Sequence, residues 1–355
     1  MKISYFIAAM TILTLLGSCE KIIPDDTLDT GFTHGAFITN EGGFGNSNGS
    51  VSYLDQDSMI MHNNIFNHVN NRPIGDVVQS FTIHGELGYI VVNNSQKVEV
   101  VDLESFTSVG LIQGLSYPRY FLGIDGQKGY VSNGAMEGLV YVIDLNSFTV
   151  ADSIAVGFGP EQMLLKDGLV YVANSGGWGN DSTLSVIDSS QDKLLETIKI
   201  GQTPVSMALD INDDLWVLCK GKVIWAADWS IKEETDSELI RLNTNTLQID
   251  NRIHIGVKGD YFWPARMTTN SSKSRILFTE ADGLYELDIN ALTQPANPLI
   301  GMDFYGFGVD PDSGIIFGLS AGSFTEAGFL YRFYPDGSRI DSLEVGIAPN
   351  SVIFN

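Results

Sequence analysis

One strand pattern, apolar-x-x-apolar-Asp, recurs seven times along this 355-residue chain and constrains the fold more than any other feature. The fourth positions of the copies are Leu54, Val101, Ile143, Ile187, Leu242, Leu287 and Phe333. Asn243 replaces the Asp in the fifth copy, and Tyr334 replaces it in the seventh. Successive copies are 47, 42, 44, 55, 45 and 46 residues apart. Such a period is the length of a four-stranded propeller blade, so the sequence predicts an all-β fold, a seven-bladed β-propeller.

The two ends of the repeat region complement each other. Residues 349–354 have the pattern that opens a blade, with Pro349 three residues before an apolar position, as Pro118 and Pro160 are elsewhere. The first repeat, residues 35–66, has the later strands of a blade but no opening strand. Pairing the two ends would remove the free sheet edges that an open ring leaves. We therefore predict ring closure by the C-terminal strand, within one undivided domain.

The N-terminus has the pattern of a bacterial lipoprotein signal. Lys2 precedes an apolar run at 3–16, and the sequence LGSC at 16–19 places small residues before Cys19. This run is shorter than a membrane span and fits a secretory signal. We predict a signal peptide at 1–18, lipidation of Cys19, a tether at 19–33 and the propeller at 34–355. The predicted location is the outer membrane, where the chain is lipid-anchored and surface-exposed.

The formal net charge of −23 limits the possible partners. A surface this acidic repels phosphate backbones, which argues against nucleic-acid binding. The second cysteine, Cys219, lies in an apolar run and has no partner if Cys19 is acylated, so a buried thiol is expected there.

The aromatic residues are predicted to gather on one face. In a propeller, the loops into the innermost strands and the loops between the second and third strands share a face, and the repeat assigns most loop aromatics to it. They are Phe44, Tyr117, Tyr120, Phe158, Trp178, Trp225, Trp229, Tyr261, Phe262, Trp263, Phe304, Tyr305 and Phe324. Aromatic loops with amide and guanidinium groups among them are typical of a binding face.

Two further features point to the same face. The long step of 55 residues contains an insertion at 221–236, and loops longer than a fold requires are often functional.

Arg72, Arg119 and Arg266 fall near the starts of innermost strands. They would either anchor a ligand phosphate or carboxylate, or form ion pairs with loop acids such as Asp76, Glu161 or Asp303. The sequence leaves both alternatives open.

Signals for catalysis are few. The five histidines have no metal-ligand spacing, and the chain has neither a nucleophile elbow nor a phosphate-binding glycine loop. We predict a binding protein without a cofactor. The alternative is a metal-dependent propeller lyase or lactonase, with Glu41, Glu161 and Glu280 near the axis.

Several stretches resemble known propeller families. The strands at 130–133, YVSN, and 171–174, YVAN, resemble the YVTN/YncE-like repeat. The stretches NEGGFG (40–45), SVSYLD (50–55) and NRPIGDVVQS (71–80), with the lipobox, are similar to surface-exposed propeller lipoproteins that include the cobalamin-capturing BtuG family. The resemblance implies that the propeller binds a corrinoid and delivers it to a TonB-dependent outer-membrane transporter. A glycan or other nutrient ligand, and a pure protein-interaction module, remain as alternatives.

The predicted ligand-binding residues rest on loop position alone. They are Phe44, Arg72, Gln79, Arg119, Tyr120, Phe158, Gln162, Trp178, Trp225, Trp229, Tyr261, Trp263, Arg266 and Tyr305.

Overall fold

The computed structural model describes residues 31–256 and 265–355. Its strands form seven blades, numbered here in chain order. Blade 1 combines three strands from the start of this region with the last strand of the chain: β1 (Gly35–Asn40), β2 (Ser50–Asp55), β3 (Ile60–His62) and β29 (Pro349–Phe354). A short helix, α1 (Ile65–Asn70), follows β3.

Blades 2 to 4 each contain four consecutive strands. Blade 2 is β4 (Val78–His84), β5 (Leu87–Val92), β6 (Lys97–Asp102) and β7 (Ser108–Ile112). Blade 3 is β8 (Pro118–Gly123), β9 (Lys128–Asn133), β10 (Leu139–Asp144) and β11 (Thr149–Ala155). Blade 4 is β12 (Pro160–Lys166), β13 (Leu169–Asn174), β14 (Thr183–Asp188) and β15 (Lys193–Lys199).

Blades 5 to 7 contain the irregular features. Blade 5 is β16 (Pro204–Leu209), β17 (Leu215–Cys219), β20 (Ser237–Leu242) and β21 (Ile249–Gly256), interrupted by a separate hairpin of β18 (Val223–Trp225) and β19 (Ile231–Glu234). Blade 6 is β22 (Met267–Thr269), β23 (Arg275–Glu280) and β24 (Gly283–Asp288). Blade 7 is β25 (Gly306–Val309), β26 (Ile316–Ser320), β27 (Ala327–Phe333) and β28 (Arg339–Ile347).

The predicted closure of the ring is confirmed. Strand β29 pairs antiparallel with β1, with Val352 opposite Ile38 and Phe354 opposite Ala36. Each innermost strand contacts the next around the axis, and β29 contacts both β25 and β4. The C-terminal strand therefore completes blade 1 and joins the two ends of the ring.

Blade 6 departs from the predicted four strands within the described residues. Where a fourth strand is expected, Ile300 makes one isolated bridge to Leu284. Pro295 and Pro298 precede this bridge, and proline has no N–H to donate to a strand ladder. The apolar periodicity of the repeat does not reveal this loss.

The repeated Asp of the strand pattern shapes the turn after each third strand. Asp102 accepts a hydrogen bond from the backbone N–H of Ser105 at 2.9 Å, and Asp188 accepts one from Ser190 at 2.8 Å. In the seventh repeat, where Tyr334 occupies the Asp position, Asp336 makes the equivalent bond to Ser338 at 2.9 Å. A carboxylate that bonds nearby backbone N–H groups favours a tight turn, which explains the recurrence.

The core lies between neighbouring blades. Tyr130 and Val140 of blade 3 pack with Val170 and Val172 of blade 4, and all four are fully buried. Between blades 1 and 2 the core is aromatic, and the rings of Phe37 and Phe106 stack with centroids 5.4 Å apart. The second strands of the blades are covered on both sides, and β5 and β17 are therefore continuous buried runs rather than alternating ones.

Candidate ligand-binding face

The propeller has two opposite faces, and their loops differ in how many exposed aromatic side chains they have. We define the loop face by the residue segments 41–49, 63–77, 93–96, 113–117, 134–138, 156–159, 175–182, 200–203, 220–236, 281–282, 301–305 and 321–326. We define the turn face by 56–59, 85–86, 103–107, 124–127, 167–168, 189–192, 210–214, 243–248, 270–274, 310–315 and 334–338.

Exposed aromatic side chains concentrate on the loop face. Among the described residues eight aromatic side chains are exposed, and six of them lie on this face: Phe44, Phe158, Trp178, Trp225, Trp229 and Phe324. Of the other two, Phe329 lies in a strand of blade 7 and Tyr334 lies on the turn face. Three of the six have most of their side-chain surface exposed, with Phe44 78%, Trp178 78% and Trp229 81% exposed.

A platform of four side chains, Tyr117, Met136, Phe158 and Trp178, spans blades 3 and 4. The rings of Tyr117 and Trp178 have centroids 5.9 Å apart. Met136 is 53% exposed and lies in the loop beside that of Trp178, since a Cβ on Gly179 would lie 3.8 Å from the Met136 methyl carbon. Aromatic residues mark these loops in the sequence, and Met136 is not aromatic, so the sequence signal does not include it.

Backbone hydrogen bonds fix the loops of this platform to one another. The N–H of Gly134 donates to the carbonyl of Tyr117 at 2.9 Å, and that of Gly159 donates to Ala135 at 3.1 Å. The N–H of Gly176 donates to the carbonyl of Phe158 at 2.8 Å. The loop backbones that carry the platform are therefore joined to one another, and a ligand bound there would pay less entropy to order these loops.

The loop that carries Phe44 is held by a buried carboxylate. Asp76 is 5% exposed, and its oxygens accept hydrogen bonds from the Gly45 N–H at 2.9 and 3.2 Å. The Asn94 amide also donates to Asp76, at 2.5 Å. Asp76, one of the acids considered as an arginine partner, therefore positions Phe44 through the backbone.

The insertion forms a hairpin that stands apart from the sheet of blade 5. Val223 pairs with Glu234 and Trp225 pairs with Ile231. Trp229 lies at its tip with a positive φ of 65°, a conformation that bulky residues rarely adopt. The hairpin thus presents Trp225 and Trp229 on the loop face.

The three arginines have different surroundings. Arg72 donates to the buried Glu99 at 2.5 Å, and Arg119 donates to Glu161 at 3.0 Å. Burial disfavours the charged form of Arg119, but the Glu161 carboxylate, together with Tyr120 and Tyr117, outweighs this effect, and the pKa of the guanidinium is raised. Arg119 therefore pairs with one of the acids named in the second alternative, whereas Arg72 pairs with Glu99 of strand β6, which the sequence did not indicate. The guanidinium of Arg266 has no hydrogen bond or ion pair with any described residue.

A polar network surrounds the axis at the loop-face end. Arg119 also donates to the Gln79 side-chain oxygen. Tyr305 donates to Glu41 at 3.0 Å, and burial together with this carboxylate raises the pKa of Tyr305. Asn350, which is 1% exposed, donates to the other oxygen of Glu41 at 2.9 Å. Glu41 and Asn350 were not among the predicted ligand residues, and here they connect the two joined ends of blade 1.

An axial cavity of about 260 Å³ opens among the innermost strands. Its polar lining includes Gln79, Tyr120, Gln162, Arg266 and Ser351. Four of these were predicted as ligand contacts from loop position, and the structure brings them to one cavity.

One loop aromatic lies in the core instead of on the face. Phe304 is 2% exposed and packs against Phe333, with ring centroids 5.8 Å apart. Phe304 is buried because its side chain packs into the core between blades 6 and 7. The position of a residue in a loop of the sequence does not show such packing. Tyr261, Trp263 and Cys19 lie outside the described residues.

The three carboxylates of the lyase alternative have separate partners. Glu41 binds Tyr305 and Asn350, Glu161 binds Arg119, and Glu280 accepts a hydrogen bond from Gln294 at 2.5 Å. In the two described ranges, no three His, Cys, Asp or Glu side chains cluster as a metal site would require. No helix of the described chain is long and apolar enough to cross a membrane.

Three solved structures show the same kind of fold. A quinonprotein alcohol dehydrogenase-like protein from Bacteroides thetaiotaomicron has a TM-score of 0.66 at 13% identity, covering 92% of this chain and 79% of that one. Kuenenia stuttgartiensis hydrazine synthase has a TM-score of 0.55 at 14% identity, over 75% of this chain and 86% of that one. BamB from Moraxella catarrhalis has a TM-score of 0.52 at 14% identity, over 86% of this chain and 80% of that one. At these identities the likeness concerns the fold alone.

The sequence itself matches one family profile. No curated protein matches the chain. The profile described as a domain of unknown function, DUF5074, matches residues 34–326, which is most of the chain. The chain therefore belongs to the DUF5074 family.

Proposed function

We propose that this protein is a surface lipoprotein that binds a corrinoid on its loop face and delivers it to a TonB-dependent outer-membrane transporter, without chemical turnover. The observation that supports the binding role is that six of the eight aromatic side chains exposed among the described residues lie on one face. The corrinoid as ligand, and the transporter as partner, rest on the resemblance of residues 40–45, 50–55 and 71–80 to the surface propeller lipoproteins.

The shape of the face suits a large planar ligand. The axial cavity of about 260 Å³ is smaller than the roughly 300–1,000 Å³ of typical small-molecule pockets. A corrinoid would therefore lie across the loops, over the platform of Tyr117, Met136, Phe158 and Trp178. Its flat macrocycle offers area to aromatic rings, and its amide side chains offer partners to the polar groups at the axis.

A titration with cyanocobalamin, followed by absorbance or calorimetry, tests this function. Truncating a stacking aromatic at a hot spot costs about 1–3 kcal/mol, or roughly 5- to 150-fold in Kd. Among Trp178→Ala, Trp229→Ala and Trp263→Ala, at least one should show such a loss. The matched control is Tyr334→Ala, which removes an exposed aromatic from the turn face, and Asp312→Ala is a second control there. Both should bind like wild type.

The outcomes separate the alternatives. Wild-type protein that shows no saturable binding of any corrinoid would contradict the ligand, and a glycan array or a pull-down on envelope proteins would then test the other two ligands. Corrinoid binding that all three Trp variants retain in full would place the ligand elsewhere on the protein.

A further inference from the structure

Two glutamine side chains in the axial cavity have fixed amide orientations. The backbone N–H of Met207 donates to the side-chain oxygen of Gln162 at 2.6 Å. Arg119 donates to the side-chain oxygen of Gln79. Since an N–H donor requires an acceptor, the oxygens are committed to these bonds. The amide N–H₂ groups of both residues have no partner among the described residues. Because both side chains line the cavity, these groups are available as donors to a ligand there.

Two more donors line the same cavity. The hydroxyl of Tyr120 makes no hydrogen bond within the described chain, and the guanidinium of Arg266 makes neither a hydrogen bond nor an ion pair there. Both residues border the cavity. A guanidinium carries five N–H donors and no acceptor. Among the described residues, the axial lining therefore has donors without acceptors and one positive charge without a direct counter-ion.

The nearby carboxylates do not remove this surplus. Glu161 is engaged by Arg119 at 3.0 Å, and Glu41 accepts hydrogen bonds from Tyr305 and Asn350. Neither glutamate lines the cavity. Arg266 lines the cavity among the innermost strands, and its charge opposes the rise in the pKa of Tyr305.

We propose that the axial cavity binds an anionic oxygen group, a phosphate or a carboxylate. Arg266 supplies the charge, and Gln79, Gln162 and Tyr120 supply hydrogen-bond donors. Charge-assisted hydrogen bonds from arginine are the strong interactions of such sites. The cavity of about 260 Å³ has the volume of roughly nine liquid water molecules at about 30 Å³ each, which is room for a phosphate and not for a corrinoid ring.

The group has two possible sources. It is either a free anion or the phosphate of a cobalamin bound across the loop face. Only the second of these sources, the phosphate of a bound cobalamin, depends on the proposed function. Dicyanocobinamide separates the two, because it retains the corrin ring and lacks the nucleotide-loop phosphate.

The first experiment uses inorganic phosphate as the probe, titrated into the full protein at constant ionic strength and followed by phosphorus NMR. Wild type should show saturable binding. Losing a hydrogen bond to a charged group weakens binding roughly 10- to 150-fold, and Arg266→Gln should show a loss of that size. Arg252→Gln, which removes an arginine paired with Glu238 at 3.2 Å in blade 5, should bind like wild type.

A second variant tests the donors while preserving the fold. Gln162→Glu keeps the oxygen that accepts from Met207 and replaces only the cavity-facing N–H₂ with a negatively charged oxygen. The Gln162→Glu variant should have the same unfolding temperature as wild type, and it should not bind phosphate. The proposal is overturned if wild type shows no saturable phosphate binding, or if Arg266→Gln and Gln162→Glu both titrate like wild type.

The corrinoid arm then assigns the source. A loss of cyanocobalamin affinity in Arg266→Gln, with dicyanocobinamide affinity unchanged, identifies the ligand's own phosphate. Phosphate binding that depends on Arg266 in a protein that binds neither corrinoid supports the axial site and contradicts the proposed function. Equal Arg266→Gln losses for both corrinoids, without an effect on free phosphate, contradict the axial anion site.

Discussion

At the scale of single residues, the carboxylate of Glu99 explains the position of Arg72. Glu99 is 1% exposed and accepts hydrogen bonds from Arg72, from Lys97 at 2.9 Å and from Ser108 at 2.6 Å. Burial by itself would raise the pKa of Glu99, but these three donors outweigh it and hold the pKa below the ordinary value of 4.5. Arg72 therefore stabilises a buried charge between α1 and blade 2.

Arg72→Gln should lower the free energy of unfolding at neutral pH. Removing one partner of a buried charged hydrogen bond costs about 1–3 kcal/mol, and the low end is expected because Lys97 and Ser108 remain. The folded-state pKa of Glu99 is lowered, so the stabilisation is complete above 4.5 and is lost as the pH falls through the folded-state value. The deficit of the variant, measured by urea unfolding, should shrink in that range. A deficit that is independent of pH would contradict this account.

The sequence pattern predicted the face on which most exposed aromatic side chains lie, but not the burial of each side chain on it. Phe44 and Trp178 lie where the repeat places them, because loop position follows from blade topology. Phe304 has the same kind of position and is buried, since a neighbouring core can draw in a loop residue. Asp76 holds the Phe44 loop through a contact between residues 31 positions apart, and a single sequence shows no such pairing.

At the scale of elements, the hairpin of β18 and β19 is separable from the blade that carries it. Within the described part of the chain its two strands form a sheet of their own, while β17 pairs directly with β20. The long step in the repeat reveals such an insertion, whereas the missing fourth strand of blade 6 leaves the spacing unchanged at 45 and 46 residues. The length of the repeat therefore reveals an inserted segment, whereas it does not reveal that a strand has lost its pairing to the sheet.

Replacing residues 223–234 with a short Gly-Ser turn should leave the propeller folded and weaken ligand binding. The hairpin adds no strand to the sheet of blade 5, so the unfolding transition should stay cooperative, with a Tm close to that of wild type. Because Trp225 and Trp229 leave together, the loss of corrinoid affinity should equal or exceed that of Trp229→Ala alone. Thermal unfolding and the corrinoid titration measure the two effects. A deletion that unfolds the protein would show that the hairpin supports the blade.

At the scale of the whole molecule, stability depends on the closure of blade 1. Deleting residues 348–355 removes β29 and leaves the inner edge of β1 unpaired, since these two strands pair directly. The same deletion removes Asn350, which donates to the backbone carbonyls of Val78 and Gln79 in blade 2 at 3.2 and 3.0 Å. An exposed edge also promotes aggregation. The truncated protein should show no cooperative unfolding transition by circular dichroism, and a native-like transition would contradict closure as the source of stability.

The predicted orientation on the cell surface can be tested by labelling single cysteines. Cys219 is fully buried, and burial raises the pKa of its thiol, so it should not react with a maleimide, while an acylated Cys19 would have no free thiol.

Trp178→Cys would place a reactive thiol on the loop face, and Tyr334→Cys would place one on the turn face. If the protein is surface-exposed, an impermeant maleimide should label Trp178→Cys on intact cells, and wild type should stay unlabelled. Tyr334→Cys and Trp178→Cys both replace exposed side chains, so the two variants should be labelled to the same extent after lysis. Labelling of both variants only after lysis would contradict the surface location and, with it, capture of a ligand from outside the cell.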